Sequence, residues 1–190
     1  MEAIEALTAR VSGERLVEPA PDELELHAML SAAVRAPDHG RLRPWRLFVV
    51  RGSARRRLGD LMATALIRRH PDATALQIEK EKNKPLRAPL ILVVAAKVNE
   101  QSSIPPIEQI LSAAAAAENV MVAAFALGFG CAWKTGEAAY DPEIKSAFGL
   151  APTDAIAGFL YIGRNANAPS RPLPLDLNEH VVEWGDRAPS

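Results

Sequence analysis

The chain has one cysteine, Cys131, among its 190 residues. A lone thiol closes no internal disulfide and supplies too few ligands for a zinc site. Net charge is nearly absent too: 22 Lys and Arg face 23 Asp and Glu, leaving −1. That argues against the basic footprint of a nucleic-acid or anionic-membrane binder. The local exception, Arg55-Arg56-Arg57, reads as the solvated start of a helix. The longest apolar run, Val120 to Cys131, is too short to span a bilayer. The opening residues, Met1-Glu2-Ala3-Ile4-Glu5, lack the cationic start of a secretion signal. These absences lead us to expect a cytoplasmic protein with no metal, nucleic-acid or membrane partner. Familiar catalytic signatures are missing as well: no G-x-S-x-G, H-E-x-x-H, P-loop or G-x-G-x-x-G.

What is present is an ordinary foldable chain, 48% apolar and 24% charged. Its length suits a single domain over residues 1–190, with a proline-rich tail from 165 to 190. A short helix is expected over 2–10 and an irregular stretch from Val11 to Pro21. Asp22-Glu23 open a second helix, in which Leu24, His27, Leu30, Ser31 and Val34 recur at helical spacing until Pro37 stops it. Of these, His27 reads as a core or interface residue. Trp45 to Val50 reads as a buried strand, Ser53 to Ile67 as a helix, and the charged segment 71–86 as a mobile helical excursion. Pro89 to Val98 is the strongest strand signal, apolar throughout and so buried on both faces.

After a polar loop over 99–106, Ile107 to Leu127 reads as the longest helix. It is nearly all small residues in the middle and apolar on every side at its end. Such a helix must be covered on every face, by its own domain or by a second copy. Cys131 to Trp133 and Ala155 to Gly163 read as strands. Asp141-Pro142 gives an N-cap followed by a first-turn proline.

Cations and hydroxyls gather at three junctions between these elements. Arg10, Ser12 and Arg15 follow the first helix. Arg35, His39 and Arg43 sit in the turn Arg35-Ala36-Pro37-Asp38-His39-Gly40 and just beyond it. Trp133, Lys134, Thr135 and Gly136 follow the long helix and its strand. In a near-neutral protein, three junctions rich in phosphate-type donors suggest a phosphorylated cofactor, which can carry chemistry that the side chains cannot.

The residues also resemble a known family. Arg10-Val11-Ser12-Gly13-Glu14-Arg15 is similar to the R-R-S-x-x-R opening of the nitroreductases. Arg35-Ala36-Pro37-Asp38-His39 with Pro44-Trp45 resembles their A-P-S/D-x-x-x-x-P-W segment. Leu127-Gly128-Phe129-Gly130 followed by Ala132-Trp133-Lys134-Thr135-Gly136 resembles their G-x-G-x-x-W-x-[ST]-G stretch. Phe159-Leu160-Tyr161-Ile162-Gly163 resembles their G-F-x-x-[IL]-G strand. The likeness covers about residues 1–165 and is greatest to the small single-domain NAD(P)H nitroreductases of bacteria.

The resemblance implies an α+β fold, with a central, mostly antiparallel sheet wrapped by helices. It also implies an intertwined homodimer with FMN at the subunit interface, the tail embracing the partner. The activity implied is hydride transfer from NADH or NADPH through flavin N5 to a nitroaromatic, quinone or similar acceptor, in a ping-pong scheme with no catalytic side chain. Alternatives are a flavin-destroying or an enal- or semialdehyde-reducing relative, or a flavin-binding protein without turnover. Arg10, Val11, Ser12, Trp133, Lys134 and Thr135 would hold FMN from one subunit, with Arg35 and His39 reaching it from the other. Val11 stands where the family often has a second arginine, and Lys134 where relatives often have arginine. Ala123, Ala124, Phe125, Ala126, Leu127 and Gly128 match a stretch tied to nicotinamide binding. Arg164 is a further candidate phosphate contact. Residues 68–86 and 99–107 are candidate walls of the acceptor pocket.

Overall fold

The computed structural model describes residues 1–168 and 172–185. Five strands form an antiparallel sheet: β1 (Leu16–Val17), β2 (Trp45–Arg51), β3 (Leu90–Ala96), β4 (Gly130–Lys134) and β5 (Ala155–Asn165). β3 lies between β2 and β5, and β5 also pairs with β4 and, at its far end, with β1. Around the sheet pack α1 (Ala3–Ala9), α2 (Glu23–Ala33), α3 (Ser53–Arg69), α4 (Ala75–Asn83), α5 (Pro106–Ala126) and α6 (Pro142–Ala147). The α+β architecture with a central antiparallel sheet is as the sequence led us to expect.

The unbroken apolar run of β3 has a direct cause. Leu90, Leu92 and Val94 face a core shared with α2 and α5. Ile91, Val93 and Ala95 face a second core shared with α3 and α6. Successive strand side chains point to opposite faces, so a strand covered on both sides can be apolar throughout. On α5 one face is wholly buried, with Ala113, Ala116, Ala117, Val120 and Ala124 against the sheet and α2. The small side chains let α2 approach closely. By length and composition α5 could cross a membrane, but this placement is that of a core helix. Its other face is uncovered in the protomer, with Ile107 and Leu111 each 58% exposed.

Several expectations need correction. β1, two residues long, lies inside the stretch read as irregular, and β5 runs on to Asn165 to pair with it. The buried side of α2 is Leu26, Met29 and Ala33, while Leu24, His27, Ser31 and Val34 are exposed. His27 is therefore no core residue in this protomer. α4 is no loose excursion either. A Cβ on Gly59 would lie 2.0 Å from the Lys82 carbonyl oxygen, so the α3 and α4 backbones meet at a residue without a side chain. A capping box between Thr74 and Gln77 starts α4.

The Asp141-Pro142 start of α6 forms as the sequence suggests. Asp141 Oδ1 accepts from the backbone N–H groups of Glu143 and Ile144, at 3.0 and 3.2 Å. Its Oδ2 accepts from the guanidinium groups of Arg68, at 2.6 Å, and Arg69. Burial alone would raise this carboxyl, but the Arg68, Ile144 and Arg69 hydrogen bonds outweigh it and hold the group below its ordinary 3.8. A depressed pKa contributes stability above the unfolded value, and that stability is lost as pH falls through the folded one. Asp141→Asn should therefore cost about 2–3 kcal/mol at neutral pH, near the low end for breaking a buried pair because the arginines stay partly hydrated. Urea unfolding at pH 7 and pH 3 checks this: the gap between variant and wild type should narrow in acid.

Candidate functional site

β4 ends at Lys134 and the chain turns at Gly136, whose φ of 64° is left-handed and suits glycine. This turn faces the segment after α1. Ser12 bridges to Cys131, and Gly13 N–H donates to the Cys131 carbonyl at 2.9 Å. Between the two segments opens a cavity of about 760 Å³, within the range of roughly 300–1,000 Å³ typical of cofactor sites. Ser12, Trp133, Lys134 and Thr135 line it together. Two of the three junctions picked out in the sequence thus meet in one cleft.

The indole of Trp133 is fixed from behind. Its Nε1–H donates to the Ala157 carbonyl at 3.0 Å, and the ring lies against Gly158. The Ser12 and Thr135 hydroxyls and the Lys134 ammonium have no hydrogen-bond partner among the described residues, which leaves them available to a ligand. Lys84, Arg87 and Tyr161 also line the cavity, beside Glu81. The Lys84 ammonium pairs with Glu81. Burial pushes the Tyr161 phenol up to about 12, so it is a neutral donor at physiological pH. Lys84 lies in the 68–86 stretch expected to wall the acceptor pocket, whereas the sequence reading missed Arg87 and Tyr161. Arg87 falls just past that stretch, and Tyr161 hides in an apolar strand whose period marks it only as core.

Arg10 and Val11 adjoin the cleft without lining it. Arg10 Nε bridges from the end of α1 to Glu118 of α5 at 3.1 Å, and Val11 is half-buried. Arg35 lines a different cavity, with Asp38 and Trp45. His39 is exposed, its Nδ1 2.7 Å from Glu108 Oε2. Ala123 and Ala124 pack in or against the core at the end of α5. Phe125 and Gly128 border a third cavity with Arg164, while Ala126 and Leu127 are exposed. Within one protomer, neither the Arg35–His39 turn nor the 123–128 segment enters the Ser12–Trp133 cleft.

Arg164 departs from the expected phosphate contact. Its Nη1 donates to the carbonyls of Leu127 at 3.3 Å and Gly128 at 3.0 Å, closing the end of α5. Its Nη2 meets Glu25 at 3.3 Å, and its guanidinium lies 3.7 Å over the Phe129 ring. These contacts make the residue a cap on the end of α5.

Cys131 backs the cleft but is closed to chemistry. Burial pushes its thiol up to about 12, so almost no thiolate forms at neutral pH. Native protein at pH 8 should leave a thiol-reactive dye such as Ellman's reagent unreacted, with one equivalent released on denaturation. Prompt reaction of the folded protein would refute this. Among the described residues no cluster of metal-ligating side chains occurs. The cleft brings hydroxyls, cations and a phenol together with the carboxylates of Glu14, Glu81 and Glu137 and the apolar side chains of Leu16, Met62 and Phe159. Its hydroxyls and the Lys134 ammonium, without partners among the described residues, can orient a polar ligand.

A model of the nitroreductase family matches residues 16–164. The chain is 42% identical over 163 residues to the Escherichia coli (strain K12) protein named "Putative NAD(P)H nitroreductase YdjA", covering 86% of this chain and 88% of that one. A nitroreductase-like family protein from Bacillus cereus superposes with a TM-score of 0.82 at 23% identity, over 97% of this chain and 96% of the other. A nitroreductase with bound FMN from Bacteroides fragilis superposes with a TM-score of 0.73 at 18% identity, over 97% and 100%.

Proposed function

The chain belongs to the nitroreductase family, and from that membership we propose that it is an FMN-dependent NAD(P)H oxidoreductase acting on nitroaromatics, quinones or similar electron-poor acceptors. The observation that carries this reading is the cleft of about 760 Å³ in which Ser12, Lys134 and Thr135, whose side-chain donors have no partner among the described residues, converge beside the Trp133 ring. Its chemistry fits FMN. Its apolar side chains suit a flat ring, the Tyr161 phenol and the cations suit ring carbonyls, and the hydroxyls suit a ribityl phosphate. When bound, FMN supplies hydride transfer through N5, from NADH or NADPH to the acceptor in alternating half-reactions.

The protein's part is positioning and electrostatics. Lys84, Arg87 and Lys134 line the cleft and would offset negative charge on a reduced flavin held there. Glu81 pairs with Lys84 and fixes its direction. Trp133, held by Ala157 and Gly158, forms a rigid wall. Arg10 acts from behind by tying α1 to α5.

The second half of the site is proposed to come from a second copy. The uncovered α5 face presents Ile107 and Leu111. The tail presents Leu173, Leu175, Val182 and Trp184, the last 98% exposed. Apolar surface on this scale marks an interface. In that dimer Arg35 and His39 would reach the partner's FMN, and the described tail residues would lie over the partner. The rest of the tail, 169–171 and 186–190, lies outside the described residues. Residues 68–86 and 99–107, the latter pinned by Gln109 at Asn99 and Ile104, would border the acceptor.

Purified protein should be yellow, with flavin absorbance near one FMN per chain, and should bleach anaerobically with NADH or NADPH. A colourless protein that binds no added FMN refutes the reading. Bound flavin that NAD(P)H fails to bleach would point to a binding protein without turnover, and loss of flavin during turnover to a flavin-destroying relative.

A further inference from the structure

A second cavity lies beside the flavin cleft, in the elbow between α3 and α4. α3 ends at Arg69, and the His70 N–H closes its last turn on the Leu66 carbonyl at 2.8 Å. The chain reverses through residues 71–73, where the Ala73 N–H donates to the His70 carbonyl at 3.0 Å. The Thr74–Gln77 capping box then starts α4, which returns along α3 over Gly59. The elbow encloses a hollow of about 420 Å³, lined by Leu66, His70, Asp72, Gln77 and Lys80. Glu81, Lys84 and Arg87 line both this hollow and the flavin cleft. Glu81 and Arg87 also lie within electrostatic reach of the Tyr161 phenol in the cleft. The two spaces therefore share one border, and a molecule seated in the cleft can extend across it into the hollow.

The hollow is rich in donors. Gln77 Oε1 accepts from the Thr74 N–H at 2.8 Å and from the Thr74 hydroxyl at 3.0 Å, which leaves its amide N–H groups for a ligand. Glu81 is 9% exposed, and its carboxylate is ion-paired with the Lys84 ammonium. Lys80 and Arg87 have no ion pair or side-chain hydrogen bond among the described residues. Three cations thus line the hollow against two carboxylates, Glu81 and Asp72. His70, 3.3 Å from Glu137, adds a fourth positive charge when protonated. Leu66 supplies an apolar wall. Donors in excess of acceptors, with one apolar side, suit an anionic group on an apolar stem.

We propose that this hollow binds a carboxylate carried by the electron acceptor, so that the chain reduces nitroaromatic or quinone acids in preference to their neutral counterparts. The proposal rests on the flavoenzyme reading for the chemistry in the cleft and adds the charge of the acceptor. Arg87 holds the carboxylate at the shared border, where its planar fork matches the two oxygens. Lys80 adds charge from the exposed side.

The acid 4-(4-nitrophenyl)butanoate and its primary amide share a nitro group and differ in charge. Their kcat/KM ratio is measured, with rates taken per bound FMN, for wild type, Arg87→Gln, Lys80→Gln and Lys82→Gln. Lys82 lies on the same helix and pairs with Asp60 at 3.0 Å, away from the hollow, so its substitution removes equal charge as a control. Non-reducible 4-phenylbutanoate is titrated calorimetrically into the same proteins as purified. Wild type should prefer the acid by at least about tenfold, the equivalent of one charge-assisted hydrogen bond. Arg87→Gln should abolish that preference and weaken 4-phenylbutanoate about tenfold. Lys80→Gln, whose charge is better hydrated, should cost about threefold in each. Lys82→Gln should match wild type in both. A wild type that reduces the amide as well as the acid overturns the proposal. So does a preference that survives both Arg87→Gln and Lys80→Gln, or one that Lys82→Gln lowers equally. A colourless wild type that takes up no FMN but binds 4-phenylbutanoate through Arg87 would refute the flavoenzyme reading and leave the anion site standing. One that binds neither overturns both.

Discussion

Leu111→Asp should yield a folded, monomeric, colourless protein. Leu111 lies on the uncovered face of α5, 58% exposed in the protomer. A single surface substitution of this kind shifts a protomer's own stability by no more than about 0.5 kcal/mol. At a self-complementary interface the same aspartate is buried beside apolar side chains, and opposite its symmetry mate where Leu111 lies near the two-fold axis. An unpaired carboxylate there costs several kcal/mol, enough to abolish association at micromolar concentration. If Arg35 and His39 complete the flavin site from the partner, the flavin leaves with the dimer. Size-exclusion chromatography with light scattering gives the mass, and the visible spectrum gives the flavin. A yellow monomer would sink the shared-site reading, and an unaltered dimer would move the interface off α5.

Gly158→Ala should damage stability and flavin binding together. The added Cβ would sit 2.0 Å from Trp133 Nε1 and 2.5 Å from Cδ1. The obstacle is a large ring anchored by its hydrogen bond to Ala157. The indole must leave, and it gives up that bond and its packing on the strand. Overpacking of this kind costs about 1–3 kcal/mol, with about 1 more for the hydrogen bond. Because Trp133 walls the cleft, FMN affinity should fall at least about tenfold, the equivalent of one lost positioning contact. Trp133→Leu vacates the space, so the double variant should be less destabilised than the sum of the single ones. Thermal unfolding and a flavin titration on the four proteins test this. Additive losses, or a Gly158→Ala protein that behaves as wild type, would show that the ring is not so confined.

Much of this was legible in the sequence because the signals were local. The run from Leu90 to Ala96 announced a strand with two buried faces, and Asp141-Pro142 announced a helix start. The three junctions stood out through their cations, and Ser12 with Trp133–Thr135 converge as one cleft. What escaped depended on partners distant in sequence. α2 has leucines on both sides, and periodicity chose Leu24 and His27 where tertiary packing chose Leu26, Met29 and Ala33. Arg164 looked like a free cation until the end of α5 and Glu25 came into place around it. Arg87 and Tyr161 become site residues only because Gly59 lets α4 lie close on α3 and because β5 turns alternate residues to that side.

β5 is the last strand in chain order, and β1, β3 and β4 all pair with it. During synthesis the first 154 residues therefore emerge without the strand that joins their sheet. Until Asn165 has left the ribosome, only the β2–β3 ladder can close, and the double-faced apolar β3 offers an open edge. Domains generally fold as units as they are made, and here the sheet waits for its closing strand. A ribosome stalled a few residues short of Ala155 would hold a chain prone to edge-to-edge association. Release of the next dozen residues would end that exposure and close the floor of the cleft in the same step.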